Sequence, residues 1–190
     1  MIADQIFERL EYIHSKHIIH RDVKPENFLI GTGKKQHKIY LVDFGLAKRY
    51  IDAKTGRHIA YREGRAPTGT TRYSSLNSQV GIELSRRDDL ESLGYMMLYF
   101  LNGSLPWQGL ACRTKREKYE KIRDMKLSLP VPVLCAKNSD EFTSYMEQVR
   151  ALKFDAKPDI AGYRKQLQEL YYRVCHEYDL EGYCQCYFLR

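Results

Sequence analysis

The sequence predicts an α+β fold, mostly helical, in which two short strand pairs precede a run of helices. Three observations carry that expectation. Short apolar steps at Ile18-Ile19, Phe28-Leu29-Ile30 and Ile39-Tyr40-Leu41-Val42 are too brief for helices and cluster early in the chain. An amphipathic period precedes them, and several helical periods follow, separated by Pro130, Pro132 and Pro158.

Taken in order, residues 1–16 place Ile2, Ile6, Leu10 and Ile13 on one helical face, with Asp4, Glu8, Arg9, Glu11 and Lys16 elsewhere. A Pro-containing loop, residues 20–27, then joins two short strands, because Pro25 fixes its own φ and biases Lys24 away from helix. Gly31-Thr32-Gly33-Lys34-Lys35 reads as a turn, and two short hairpins are expected. Residues 47–81 are polar, carry Gly56, Gly64, Pro67 and Gly69, and keep no period; a loop of that length in a domain is usually functional or disordered. From Asp88 to Leu101 apolar residues occur on every side, which predicts a helix buried all round. Asn102-Gly103-Ser104 ends it, and helices are expected at about 114–125, 140–151 and 160–175.

A chain of 190 residues with 43% hydrophobic content can bury one domain core. No apolar run approaches the ~20 residues that span a bilayer, and the first residues do not form a secretory signal. A cytoplasmic or nuclear location is therefore expected. Five cysteines at irregular spacing imply no disulfide framework and read as reduced thiols; Cys184-Gln185-Cys186 lacks a second pair with metal-ligand spacing. The net charge of +7 favours anionic partners or simple solubility, and no aromatic-interleaved basic tract points to nucleic acid.

The chemistry concentrates in His20-Arg21-Asp22-Val23-Lys24-Pro25-Glu26-Asn27 and Asp43-Phe44-Gly45. A carboxylate, an ammonium and a carboxamide in one loop, with a second carboxylate after a strand, are what phosphoryl transfer needs. Asp22 would orient a hydroxyl, Lys24 would meet the migrating phosphate, and Asn27 with Asp43 would hold magnesium. Alone, Asn27 reads as a turn residue and Asp22 as a loop cap; the ordered pair of motifs changes that reading. Phe44 reads as core packing.

These motifs are followed by Gly69-Thr70-Thr71-Arg72-Tyr73, by Ser74-Ser75-Leu76-Asn77 where most protein kinases carry Ala-Pro-Glu, and by Ser85-Arg86-Arg87-Asp88-Asp89-Leu90-Glu91-Ser92-Leu93-Gly94-Tyr95. Gly103-Ser104-Leu105-Pro106-Trp107-Gln108-Gly109 and Thr114-Lys115-Arg116-Glu117-Lys118-Tyr119-Glu120 complete the pattern. The chain resembles the casein kinase 1 family of serine/threonine protein kinases over roughly residues 2–179. The resemblance implies the mostly helical C-terminal lobe of the kinase fold over 1–179, with residues 180–190 a divergent tail. It implies ATP and Mg2+ as cofactors, and transfer of the γ-phosphate to Ser or Thr of acidic or already phosphorylated proteins. It gives Thr70 a bond to Asp22 and Lys24, and makes Asp89 a support that receives catalytic-loop amides. It assigns Arg72, Gly109 and Lys118 to one anion pocket and Arg21, Lys48 and Arg65 to a second. The bland alternative is a set of solvated charges.

The family's small ATP-covering lobe, with its Gly-rich loop, strand lysine and paired helix glutamate, has no counterpart in the 190 residues. Gly31-Thr32-Gly33 follows the catalytic loop and does not replace it. Both edges read as those of a truncated or mis-spliced frame, and little activity is expected of this chain alone. Two other classes compete: an inactive module that holds phosphorylated or acidic partners in the anion pocket, and a small-molecule phosphotransferase sharing an Asp-x(4)-Asn loop. Lys24-Pro25 and the segment at 69–73 disfavour the last.

Overall fold

A computed structural model describes residues 2–177, so the tail at 180–190 and Cys184-Gln185-Cys186 lie outside the described residues. The first helix, α1 (Ile2–Ser15), buries Ile6, Phe7, Leu10, Ile13 and His14. His17 then takes a left-handed φ of 65°, turning the chain out of the helix and into β1 (Ile18–Ile19). Past the loop at 20–27 come β2 (Phe28–Ile30), β3 (Ile39–Leu41) and β4 (Lys48–Arg49).

The four strands form two separate antiparallel pairs. Phe28 faces Leu41 and Ile30 faces Ile39 in the β2–β3 hairpin, while Ile18 faces Arg49 and Ile19 faces Lys48 in the other pair. The expectation of two hairpins is thus corrected: β1 and β4 are distant in sequence, and their pairing closes the loop, the hairpin and the Asp43 turn into one unit. A small cluster of Ile19, Tyr50 and Leu84 packs beside it.

Residues 47–81, without period in the sequence, are pinned by non-repeating bonds. Arg65 N donates to Gly81 O at 2.8 Å, Glu83 N to Arg62 O at 2.8 Å, and Thr68 N to Ser78 Oγ at 3.1 Å. Apart from β4 and a short helix, α2 (Leu76–Gln79), these bonds belong to no ladder, which is why no pattern announces them.

The central helix is α3 (Arg86–Asn102). Asp88 starts it by accepting the Ser85 amide at 2.7 Å, and Gly103 ends it at φ 72° with its amide on Tyr99 O. Every residue from Asp88 to Leu98 is buried, but Phe100 and Leu101 emerge at 55% and 46% exposure, so the all-round burial expected to Leu101 stops three residues early. The remaining helices are α4 (Lys115–Ser128), α5 (Val131–Cys135), α6 (Asp140–Ala151) and α7 (Ile160–Glu177). Pro130 and Pro132 do not separate helices, contrary to what their sequence positions lead one to expect. Instead they open α5, since a proline costs no hydrogen bond in a first turn.

One large core joins α1, α3, α6 and α7 around Phe7, Leu90, Leu93, Tyr145 and Tyr163. Tyr145 meets Phe7 and Tyr163 edge-on, with centroids 5.8 and 5.1 Å apart. Gly94 lets α3 and α6 approach closely, because an added Cβ would run into Met146 Sδ. Cys112 and Cys135 are free thiols as expected, whereas Cys175 is disulfide-bonded, against the expectation of reduced thiols. Among the described residues no helix is long and apolar enough to cross a membrane.

Candidate functional site

The site starts from a buried carboxylate. Asp89, on α3, is 1% exposed and accepts the backbone amides of His20 and Arg21, each at 2.8 Å. His14 Nε2 on α1 meets the same carboxylate at 2.8 Å. These bonds hold Arg21 at a left-handed φ of 69°, a conformation a side chain adopts only under constraint. The chain thereby turns to present Asp22 to Lys24 and Thr70. Asp22 N leans on His20 Nδ1 at 3.3 Å, and His20 Nε2 lies 3.0 Å from Val42 O. Asn27 closes the loop: Nδ2 donates to Asp22 O at 2.9 Å, and Asn27 O accepts Val42 N at 3.0 Å. The loop and the strand leading to Asp43 are therefore tied at both ends.

Three predicted side chains converge. Lys24 Nζ lies 2.6 Å from Asp22 Oδ2 and donates to Thr70 Oγ1 at 3.1 Å. Thr70 donates to Asp22 Oδ1 twice, from its backbone N at 2.7 Å and its hydroxyl at 2.8 Å. Gly69 permits this approach: at φ +86°, a Cβ there would come 2.5 Å from Arg21 O. Burial works to raise the Asp22 pKa, but the bonds from Lys24 and Thr70 outweigh it and the carboxyl ends below its usual value. Lys24 is raised, first by its bond to Asp22, with Glu26 and Asp43 adding attraction. The charge of Asp43 thus reaches the same ammonium that Asp22 holds.

Asp43 sits at the head of a short 3-10 turn with φ 61°, and its Oδ1 accepts Gly45 N at 3.3 Å. It is exposed, like Phe44 after it. Phe44, expected in the core, is 45% exposed, with its ring centre 5.2 Å from that of His20; Leu29, Ile30, Tyr40 and Leu46 are exposed as well. Among the described residues no three His, Cys, Asp or Glu gather as a protein-only metal cage. Asn27 and Asp43 still fit a hard divalent ion. The Asn27 amide nitrogen is spent on Asp22 O, which leaves its oxygen as the ligand atom, and magnesium takes its other ligands from water and phosphate.

The two basic groups fare differently. Arg21, Lys48 and Arg65 do line one cleft of about 200 Å³ with Thr68, Ser78 and Glu83. Glu83, 4% exposed, receives Lys48 at 2.8 Å and Arg65 at 2.7 Å. Burial raises its pKa, yet the two cations win and hold the carboxyl low. Arg21 Nε donates to Leu46 O at 2.6 Å. In the other group, the Arg72 guanidinium lies 5.7 Å from the centres of both the Tyr73 and Tyr99 rings, and Gly109 and Lys118 are exposed. No hydrogen bond or ion pair among the described residues joins those three.

Sequence reasoning missed Glu83, His14 and Lys126. Each had a faint signal. Glu83 lies between Ile82 and Leu84, His14 follows Ile13 on the apolar side of α1, and Lys126 stands four residues after Ile122, the other buried residue of α4. A polar residue on an apolar stripe is a candidate for a buried, partnered group.

A family model described as protein kinase domain matches residues 1–174.

Proposed function

The chain belongs to the protein kinase domain family, which uses ATP and Mg2+ in general and acts on proteins, and on that premise we propose that it is a serine/threonine protein kinase of casein kinase 1 type. The observation that carries the reading is the convergence of Asp22, Lys24 and Thr70 within 3.1 Å of one another, on the loop that also carries Asn27. The fold described above is then the large lobe.

In this reading Asp22 accepts the hydrogen bond of an incoming hydroxyl and orients its oxygen for in-line attack. It is suited to do so because it stays ionised and is held by two donors from Thr70. Lys24, with its ammonium already placed between Asp22 and Thr70, stabilises charge on the phosphoryl oxygens as the bond to the leaving group loosens. Asn27 and Asp43 would hold the divalent ion, which would supply charge neutralisation when bound. A lysine at position 24 supports Ser/Thr over Tyr as acceptor. Arg72, half-buried, and the exposed Lys118 support acidic or primed substrates, because cations that carry no carboxylate partner among the described residues favour negative charge on the substrate.

Among the described residues no Gly-rich loop or further lysine from a second lobe clamps the phosphates. Positioning supplies much of the acceleration in phosphoryl transfer, up to ~7–11 kcal/mol in favourable cases. The 190 residues alone are accordingly proposed to turn over slowly or not at all. Radiolabel incorporation from ATP into acidic, primed and basic Ser/Thr peptides tests both parts. Slow incorporation that prefers the acidic peptides and disappears in Asp22→Asn is expected. Robust turnover by the chain would refute the weak-activity part, and turnover indifferent to Asp22→Asn would refute the kinase reading.

A further inference from the structure

Behind the segment that bears Thr70 lies a cation the chemistry above does not use. Lys126, on α4, is fully buried, and its Nζ donates to Thr71 O at 2.9 Å and to Ser74 O at 2.6 Å. The same ammonium lies over Tyr95 and Trp107, 4.7 and 4.8 Å from the ring centres. Among the described residues it forms no ion pair with a carboxylate. Trp107 Nε1 donates to Arg72 O at 2.8 Å, and Gln79 Nε2 reaches Thr71 O. The carbonyls of residues 71, 72 and 74 are therefore all gripped from one side. On the other side Thr70 grips Asp22.

A buried ammonium loses several kcal/mol of hydration, and a methionine would fill the same space without that loss. Two carbonyl acceptors and two ring faces are the compensation, and three of those four partners are the substrate-side segment itself or the tryptophan that binds it. We propose that Lys126 is a positioning residue: it latches residues 70–75 to α3 and α4 and through them seats Thr70 on Asp22 and Lys24. The part concerning transfer rests on the kinase reading; the latch itself does not.

Burial pushes the Lys126 pKa down to about 7, with Glu91 on α3 raising it and Arg150 on α6 lowering it further. Tyr95, also on α3, is kept protonated by burial and adds no charge. The neutral amine keeps two N–H donors but loses the cation–π attraction and the charge on its hydrogen bonds. An opening of residues 70–75 that wets Lys126 returns the group toward its ordinary pKa, so opening takes up a proton and the closed latch gains as pH rises through about 7. Because the folded pKa lies below the unfolded value of 10.5, the folded state binds fewer protons between about 7 and 10.5, and this group's stability contribution rises with pH there. Asp88, which accepts Ser75 Oγ at 2.7 Å, is raised to about 6 by burial and marks a second inflection to be separated.

Hydrogen exchange of residues 70–76, corrected for intrinsic rates and followed from pH 6 to 9 in the full chain and in Lys126→Met, tests the proposal. In the parent chain, protection should rise several-fold as pH rises through about 7. The variant should show at least tenfold lower protection at pH 9 and no inflection near 7. Equal protection in the variant, or an inflection that survives in it, would overturn the proposal. Should Lys126→Met not fold, the 15Nζ titration of Lys126 in the parent chain decides. Co-titration near 7 with the Thr71 and Ser74 carbonyl carbons supports the latch, and a midpoint above 9 removes it. Exchange needs no turnover, so a positive exchange result beside phosphorylation indifferent to Asp22→Asn would refute the kinase reading and leave the latch standing. Where turnover is measurable, Lys126→Met should raise the peptide KM and lower kcat with the nucleotide KM unchanged.

Discussion

The two carboxylates that define the site are held in opposite ways. Asp22 is 8% exposed, receives Lys24 and both donors of Thr70, and sits on a loop whose amides end on the buried Asp89. Asp43 is exposed, has a single 3.3 Å bond to Gly45, and is followed by a bare Phe44. One half of the site is over-determined by its surroundings, and the other is left to be completed by what binds. Preorganisation helps the hydroxyl side, where an oxygen must be aimed. Openness suits the metal side, where water and phosphate oxygens must enter.

Substitutions of equal size should therefore have unequal consequences. Asp89→Ala strands two buried amides and releases the strained Arg21, so chemical denaturation should show a loss of about 3 kcal/mol or more. Glu83→Gln leaves Lys48 and Arg65 with half their acceptor; because both cations are partly exposed, the cost should be about 1 kcal/mol in the same assay. Asp22→Asn should cost about 1 kcal/mol or less, yet reduce any measurable transfer ~10²–10⁴-fold. It should also flatten the acid limb of the stability curve. The folded pKa of Asp22 is depressed, so its contribution is complete above the usual carboxyl value of 3.8 and is lost as pH falls through the lower folded value. Asp43→Asn should shift stability by no more than ~0.5 kcal/mol, since it removes one exposed charge and one long bond. A destabilisation by Asp43→Asn as large as that by Asp89→Ala would break the contrast between the halves.

How much of this was legible beforehand depended on whether a residue's partner is local. The helices at 140–151 and 160–175 matched α6 and α7 closely because amphipathic periodicity is a one-dimensional record of burial. The loop at 20–27 and the Asp43 turn were legible from residue type and order. The ordered path of 47–81 was not, because its bonds join residues with no common period, such as Thr68 to Ser78 and Glu83 to Arg62. Glu83 and Lys126 were missed for the same reason. Each is a charge whose partners lie many positions away, and the apolar neighbours beside it hint at burial without naming those partners. The pairing of β1 with β4 escaped because two-residue strands carry too few side chains to specify a register. Phe44 was placed in the core by its chemistry alone, and the open half of the site overrides that preference.

The most direct test of a shared site for Asp22, Asn27 and Asp43 uses manganese as a paramagnetic stand-in for magnesium. Mn2+ with ATP, titrated into the 15N- and 13C-labelled chain, should broaden the Asn27 side-chain amide and the Asp43–Gly45 signals first. Lys24 and Thr70 should follow, and Asp43→Asn should abolish the effect. Broadening centred elsewhere, or unchanged in Asp43→Asn, would contradict the account whatever the chain's turnover.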